Sequence, residues 1–110
     1  MPFTALFIAH APDADPQLHR AEIETGLYRL ISVIVRDQEQ AVALCDELVA
    51  AEGVDSILLC PGNTNADVAG IQAAVGNGVS VSVARGDAPG MRVAAKAMEE
   101  VGWFAAQARR

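Results

Sequence analysis

Residues Val54-Asp-Ser-Ile-Leu-Leu-Cys-Pro-Gly-Asn-Thr-Asn65 hold the pattern on which the fold prediction rests, an apolar run that ends in a small polar cluster. The same junction recurs where Phe3–Ala9 meets His10-Ala-Pro-Asp13, Leu30–Val35 meets Arg36-Asp37, and Val79–Ala84 meets Arg85-Gly-Asp87. Apolar runs of this length, bounded by turn residues, are typical of buried strands. If the runs are parallel strands, their polar clusters meet at the carboxyl edge of one sheet, where open α/β sheets bind ligands.

Helices are predicted between the later runs. Asp37 and Gln40 have the spacing of a capping box before a helix that Gly53 ends. Asn63 to Asn65 supply N-caps for a second helix, and Asp87 with Pro89 marks the start of a third. Alternating strands and helices indicate a parallel sheet with right-handed crossovers. We therefore predict one α/β domain over residues 1–110, doubly wound and flavodoxin-like, with helices flanking both faces of a four-stranded, mainly parallel sheet of order 2-1-3-4.

Two parts of this sheet are open to alternatives. Leu18–Thr25 fits either a short helix or an added strand, and we favour a helical turn or two. An antiparallel pairing of the first two strands is the alternative to the parallel order. Serines alternate with valines in Val79–Ala84, which places that strand near an edge of the sheet.

Composition excludes several classes of partner. The chain is 52% hydrophobic with a mean hydropathy of +0.24, an apolar excess that predicts a homo-oligomer. Its net charge is −6 and its basic residues are scattered apart from Arg109-Arg110, so neither nucleic acid nor an anionic membrane surface is an expected partner. No signal peptide or membrane-spanning run is recognised, and the two cysteines are interpreted as reduced thiols of a cytoplasmic protein.

The turn after the third run is the first candidate ligand site. Free N–H groups at the start of the following helix suit a phosphate or carboxylate, which makes Gly62, Asn63, Thr64 and Asn65 candidate ligand-binding residues. An ordinary strand-to-helix turn explains the same residues. Arg85 closes the fourth run, where its guanidinium could bind an anion or pair with a neighbouring aspartate. No nucleotide-binding motif is present, and the cofactor stays unknown.

His10 and Cys60 are the candidate catalytic residues, because both end strands that are predicted to be neighbours. A thiol near a helix N-terminus has its thiolate favoured and can act as a nucleophile. Burial as an inert core thiol is the alternative for Cys60, and packing is the role predicted for Cys45. His10, Asp13 and Asp15 match no closed zinc pattern, so no metal site is predicted.

A family resemblance extends over most of the chain. It is carried by Phe7-Ile8, His10-Ala-Pro, Ala14-Asp-Pro16, His19-Arg20, Ile23-Glu-Thr25, Ala41-Val42, Glu47-Leu-Val49, Glu52-Gly-Val54 and Leu59-Cys-x-Gly62. In these segments the chain resembles a family of small bacterial α/β proteins of unknown function. The resemblance implies the fold and assigns no reaction. Relatives commonly carry Glu before the Leu-Cys pair and Gly-Gly after it, where this chain has Leu58 and Pro61-Gly62.

Three functional hypotheses follow. The leading one is a small oligomeric protein that binds a small anionic metabolite at the carboxyl edge of its sheet. The second is an enzyme of the lyase or isomerase type that uses His10 and Cys60. The third is a structural subunit without a ligand, in which the apolar excess serves assembly.

Overall fold

All four apolar runs form strands, and a fifth strand joins them at one edge of the sheet. The computed structural model describes residues 1–108, so the Arg109-Arg110 pair lies outside the described residues. The elements are β1 (Phe3–His10), β2 (Arg20–Glu24), β3 (Tyr28–Val35), α1 (Gln38–Glu52), β4 (Ser56–Leu59), α2 (Asn65–Val75), β5 (Ser80–Val83), α3 (Ala88–Glu100) and α4 (Trp103–Ala108). The strand order is β2-β3-β1-β4-β5, which confirms the α/β class and puts β5 at an edge.

The sheet is five-stranded and mixed, which corrects the predicted four-stranded sheet. The pairs β3–β1, β1–β4 and β4–β5 are parallel, whereas β2 runs antiparallel to β3. The favoured helical turn within Leu18–Thr25 was wrong, because Arg20–Glu24 forms β2. Its residues alternate between charged and apolar side chains, which is the period of a strand rather than a helix.

The core lies between one face of the sheet and two helices. Leu6, Ile8, Val33 and Ile57 point from this face and are fully buried against α1 and α2, which also pack against each other. Asp37 caps α1 by accepting a hydrogen bond from the Gln40 backbone N–H at 2.9 Å, as predicted. Both helices lie on the same face, so α1 and α2 do not form the predicted doubly wound arrangement with helices on both faces, and the flavodoxin-like prediction is not confirmed.

The other face of the sheet, which we call the open face, is not covered by α1 or α2. The strand registers place on it Phe3, Ala5, Phe7, Ala9, Ala21, Ile23, Tyr28, Leu30, Ser32, Ile34, Ser56, Leu58, Ser80 and Ser82. Several of its large side chains are exposed, and the Phe3 and Tyr28 rings stack with centroids 5.7 Å apart.

After β5, the chain leaves the sheet as a helical arm made of α3 and α4. Asp87 caps α3 by accepting a hydrogen bond from the Gly90 backbone N–H at 2.7 Å, which confirms the predicted start of this helix. Gly102, with a φ of +80°, turns the chain between the two helices. Every residue of α3 and α4 is at least partly exposed to solvent. Within residues 1–108, every helix is too short or too polar to cross a bilayer.

Candidate functional site

The ends of the four parallel strands meet at one edge of the sheet. Backbone hydrogen bonds fix them there, since Cys60 N–H donates to the Ile8 carbonyl at 3.1 Å and Ala84 N–H donates to the Leu59 carbonyl at 2.8 Å. His10 ends β1, and Cys60 directly follows the neighbouring strand β4. The polar clusters identified in the sequence are therefore spatial neighbours.

A cavity of about 890 Å³ opens between this edge and the arm. We call it the carboxyl-edge cavity. Its lining consists of His10, Ala11, Pro12, Arg36, Asp37, Gln38, Cys60, Pro61, Gly62, Asp67, Arg85, Gly86, Asp87, Gly90, Met91, Ala94, Met98, Trp103, Phe104 and Gln107. One side is thus polar and built from strand ends, while the other is largely apolar and built from the arm.

Cys60 and His10 touch at the polar side of the cavity. The Cys60 Sγ lies 3.6 Å from the His10 Nδ1 and 3.5 Å from the Asn63 Nδ2, which donates to it. Burial alone would raise the pKa of the Cys60 thiol. The hydrogen bond with His10, backbone hydrogen bonds from Gly62 and His10, and the charge of His10 together lower that pKa. A thiol held in this way is a stronger nucleophile at neutral pH than an ordinary one.

Two guanidinium groups line the cavity at different strand ends. Arg36 follows β3, and its Nη1 donates to the Ala14 carbonyl at 3.2 Å. Arg85 follows β5 and is exposed, and its guanidinium has no hydrogen bond or ion pair with another residue in the 1–108 range. Three strand spacings separate β3 from β5, or roughly 14 Å. The two arginines therefore extend from strand ends on opposite sides of β1 and β4, at whose ends His10 and Cys60 lie.

The acidic residues that line the cavity accept hydrogen bonds from backbone N–H groups at the starts of helices. Asp37 and Asp87 accept hydrogen bonds from backbone N–H groups of α1 and α3. At α2, Thr64 is the N-cap, and its backbone N–H donates to Asp67 Oδ2 at 2.9 Å while its Oγ1 accepts from the Asp67 N–H at 3.1 Å. At the helix starts that line the cavity, these backbone N–H groups are thus already hydrogen-bonded to nearby side chains.

The predicted ligand-binding residues are distributed unevenly. Gly62 and Arg85 line the cavity. Asn63 supports Cys60, and its Oδ1 is buried without a donor among the described residues. Thr64 belongs to the capping box, and the exposed Asn65 begins α2 outside the cavity lining. A role of these residues in binding an anion stays a prediction.

The loop after β1 is shaped by its own hydrogen bonds. The Asp15 N–H donates to His19 Nδ1 at 2.9 Å, and Asp15 Oδ1 accepts from the Gln17 N–H at 2.9 Å. Within the described part of the chain, no three histidine, cysteine or acidic side chains group closely enough to hold a metal ion.

The apolar side of the cavity could not be recognised from the sequence. Met91, Met98, Trp103 and Phe104 belong to the arm and line this side. Their helical spacing predicts an apolar stripe but does not say which surface the stripe faces. Gln38 was also missed. Its Nε2 donates to the Asp67 carbonyl at 3.1 Å, and its Oε1 is buried without a donor among the described residues.

Comparison with known proteins yields one family. The family model that matches covers residues 3–99, and its description is a family of unknown function (DUF6506). Neither a curated protein nor a solved structure matches the chain.

Proposed function

The chain belongs to the DUF6506 family, whose function is unknown, and we propose that it binds a small organic anion with an apolar part in the carboxyl-edge cavity. The supporting observation is that one cavity combines the Arg85 guanidinium with an apolar side from the arm. Its volume of about 890 Å³ falls within the range of about 300–1,000 Å³ found for small-molecule sites.

Arg85 is the group that recognises the charge of the ligand. A guanidinium binds a carboxylate or phosphate through two parallel N–H donors, and none of the other described residues holds that of Arg85. The protein as a whole carries a net charge of −6, so its overall field does not attract anions. Selectivity for an anion therefore depends on this local contact.

The arm recognises the apolar part of the ligand. Trp103 and Phe104 present aromatic surface to the cavity, and Met91 and Met98 add flexible apolar side chains that adapt to ligand shape. Phe104 is 46% exposed and Met91 is 48% exposed, so a bound apolar group removes water from both.

Matched pairs of probes test this proposal. We expect phenylacetate, hexanoate or phenyl phosphate at millimolar concentration to raise the melting temperature and change the fluorescence of Trp103, the single tryptophan. The uncharged partners phenylacetamide, hexanamide and phenol should have a much smaller effect. Arg85→Gln should remove the difference, because only the charged member of each pair uses the guanidinium.

Arg92→Gln is the matched control. Arg92 is also an exposed arginine, but it lies on α3 outside the cavity lining, so its replacement should leave the response unchanged. The proposal fails if none of the three acids changes the melting temperature. It also fails if each acid and its uncharged partner act equally, or if the two arginine variants behave alike.

The contact between Cys60 and His10 supports a second function, an enzyme of the lyase or isomerase type. The thiol proton passes to His10 Nδ1, 3.6 Å away, in the tautomer that leaves this nitrogen unprotonated. The resulting thiolate can take a proton from a bound substrate or attack an electrophilic carbon. Both residues line the cavity proposed to hold the anion, so substrate and nucleophile would share one space.

Alkylation with a charged and a neutral reagent tests this second function. We expect Cys60 to react with iodoacetate faster than the cysteine of free glutathione does at pH 7. Iodoacetate is charged and iodoacetamide is neutral. We therefore expect the alkylation rate of Cys60 with iodoacetate, divided by its rate with iodoacetamide, to exceed the same ratio for glutathione. Arg85→Gln should lower the ratio for Cys60. A Cys60 that reacts no faster than glutathione with either reagent would rule out an activated thiol.

A further inference from the structure

A large apolar surface of the molecule lies outside the carboxyl-edge cavity. On the open face of the sheet, Phe3 is 51% exposed, Ile23 is 66% exposed and Leu58 is 42% exposed. These side chains come from three different strands of one continuous sheet, so they form a contiguous surface rather than scattered contacts. Contiguous apolar surfaces on soluble proteins mark interaction sites.

The open face also lacks charge. None of its described residues is Asp, Glu, Lys or Arg, although 20% of the chain is charged. Its polar members are four serines and Tyr28, with Ser80 and Ser82 on the edge strand β5. A surface of this kind offers no group that selects an anionic membrane or a charged protein. It can, however, be placed against an identical copy without repulsion between like charges.

The size of the open face is close to that of a small interface between two copies. From the strand lengths and the usual strand spacing and rise, its footprint is about 450 Å². Two apposed faces cover about 900 Å² in projection, and the accessible area of the interlocking side chains is larger. This approaches the roughly 1,200 Å² at which specific interfaces begin.

We propose that the open face is the interface of a homodimer in which the sheets of two copies pack face to face. Large apolar side chains concentrate on β3, β1 and β2, including Phe7 and Leu30, whereas the serines concentrate on β4 and β5. The centre of the interface therefore lies over β1 and β3, near the stacked Phe3 and Tyr28 rings. Sheets packed in this way lie about 10 Å apart. The inference does not depend on ligand binding in the carboxyl-edge cavity.

Placing charge on the open face tests the dimer. By light scattering at about 100 μM, a concentration at which specific dimers of micromolar affinity form, we expect twice the monomer mass of 11.5 kDa. Ile23→Glu and Phe3→Glu place carboxylates in the interface of both copies and should each give monomers. Both positions are more than half exposed in the single chain, so the monomer should keep its circular dichroism spectrum. Leu18→Glu is the control, because Leu18 is 74% exposed and does not belong to the open face.

Several outcomes would overturn the dimer. A wild-type chain that stays monomeric at every concentration up to about 1 mM is one, and it does not depend on how any variant folds. A dimer that both glutamate variants retain is another, because the interface would then lie elsewhere. A monomer that instead binds phosphatidylcholine vesicles through Phe3 and Ile23 would assign the open face to a lipid surface.

Discussion

The Sγ of Cys60 and the Nδ1 of His10 lie 3.6 Å apart although 50 positions separate the two residues in the chain. The contact exists because β1 and β4 are parallel neighbours whose register pairs Ile8 with Leu59, so that His10 and Cys60 follow at the same edge of the sheet. It joins an ionisable thiol to an imidazole on the wall of a cavity.

Replacing His10 should slow the reaction of Cys60 with iodoacetamide. His10→Asn removes the imidazole whose hydrogen bond and charge help lower the pKa of the Cys60 thiol. A higher pKa leaves less thiolate at pH 7, so we expect the alkylation rate to fall about three- to tenfold. Mass spectrometry of the alkylated protein over a pH series should also show the midpoint moving to higher pH.

Cys60→Ser provides the control for this measurement. It leaves only Cys45, which is fully buried, so alkylation should stop until the protein is unfolded. A His10→Asn protein with unchanged rate and midpoint would contradict the assigned role of the imidazole.

Cys45 should make the protein less stable at alkaline pH. Burial, followed by the charge of Asp46, raises the pKa of this thiol to about 12. The unfolded chain ionises it near pH 8.5, so above about that pH the unfolded state releases a proton that the folded state keeps. The contribution of Cys45 to stability is full below this pH and is lost progressively up to pH 12.

Urea unfolding at several pH values measures the effect of Cys45. Between about pH 9 and pH 10, the free energy of unfolding of the wild type should fall more steeply than that of Cys45→Ala, by up to about 1.4 kcal/mol per pH unit. Subtracting the free energy of unfolding of Cys45→Ala from that of the wild type at each pH cancels the contributions of the other titrating groups. Parallel curves would show that the environment of Cys45 does not oppose its ionisation.

Asp87 should hold the arm in place through its helix cap. Asp87→Ala removes the acceptor for the Gly90 N–H and should cost α3 about 1 kcal/mol. A frayed α3 exposes Trp103 to water, so its emission should move to longer wavelength. Asp87→Asn keeps a good N-cap and should leave the emission unchanged. Equal emission from both variants would show that the cap does not position the arm.

The central strand should be the most sensitive part of the core. Leu6 is fully buried in the core that the sheet forms with α1 and α2, so Leu6→Ala should lower the free energy of unfolding by about 2–5 kcal/mol. Leu18→Ala, at an exposed loop position, should change it by less than about 0.5 kcal/mol. Chemical denaturation measures both, and comparable losses would contradict the assigned core.

The strands that bury apolar side chains on the helical face could be predicted from local sequence, whereas β2 could not. β2 is held in the sheet by its pairing with β3 and by Arg29. The Arg29 guanidinium forms ion pairs with Glu22 of β2 and with Glu52 of α1, and its Nη2 lies 2.6 Å from the Glu52 Oε1. The alternation of charged and apolar residues in Arg20–Glu24 has the period of a strand, but it extends over only five residues. The contacts with distant segments that hold β2 in the sheet cannot be read from the local sequence.

The candidate site, too, could be predicted only in part from the sequence. The meeting of His10 and Cys60 follows from strand order alone, since residues at the ends of neighbouring parallel strands share an edge. The apolar wall depends on how Gly102 directs α4 relative to α3. A pattern of apolar residues predicts these helices but not the direction of the turn, so Trp103 and Phe104 could not be assigned to the cavity in advance.

The position of β1 in the middle of the sheet affects how the chain can fold during synthesis. β1 precedes both of its partners, and its second edge stays unpaired until Leu59 has been made. Leu6 and Ile8 likewise wait for the helices that cover them. A nascent or truncated chain that stops before β4 therefore combines a bare strand edge with exposed core residues, which is a template for aggregation. Incomplete chains of this protein are thus expected to need chaperones more than full-length chains do.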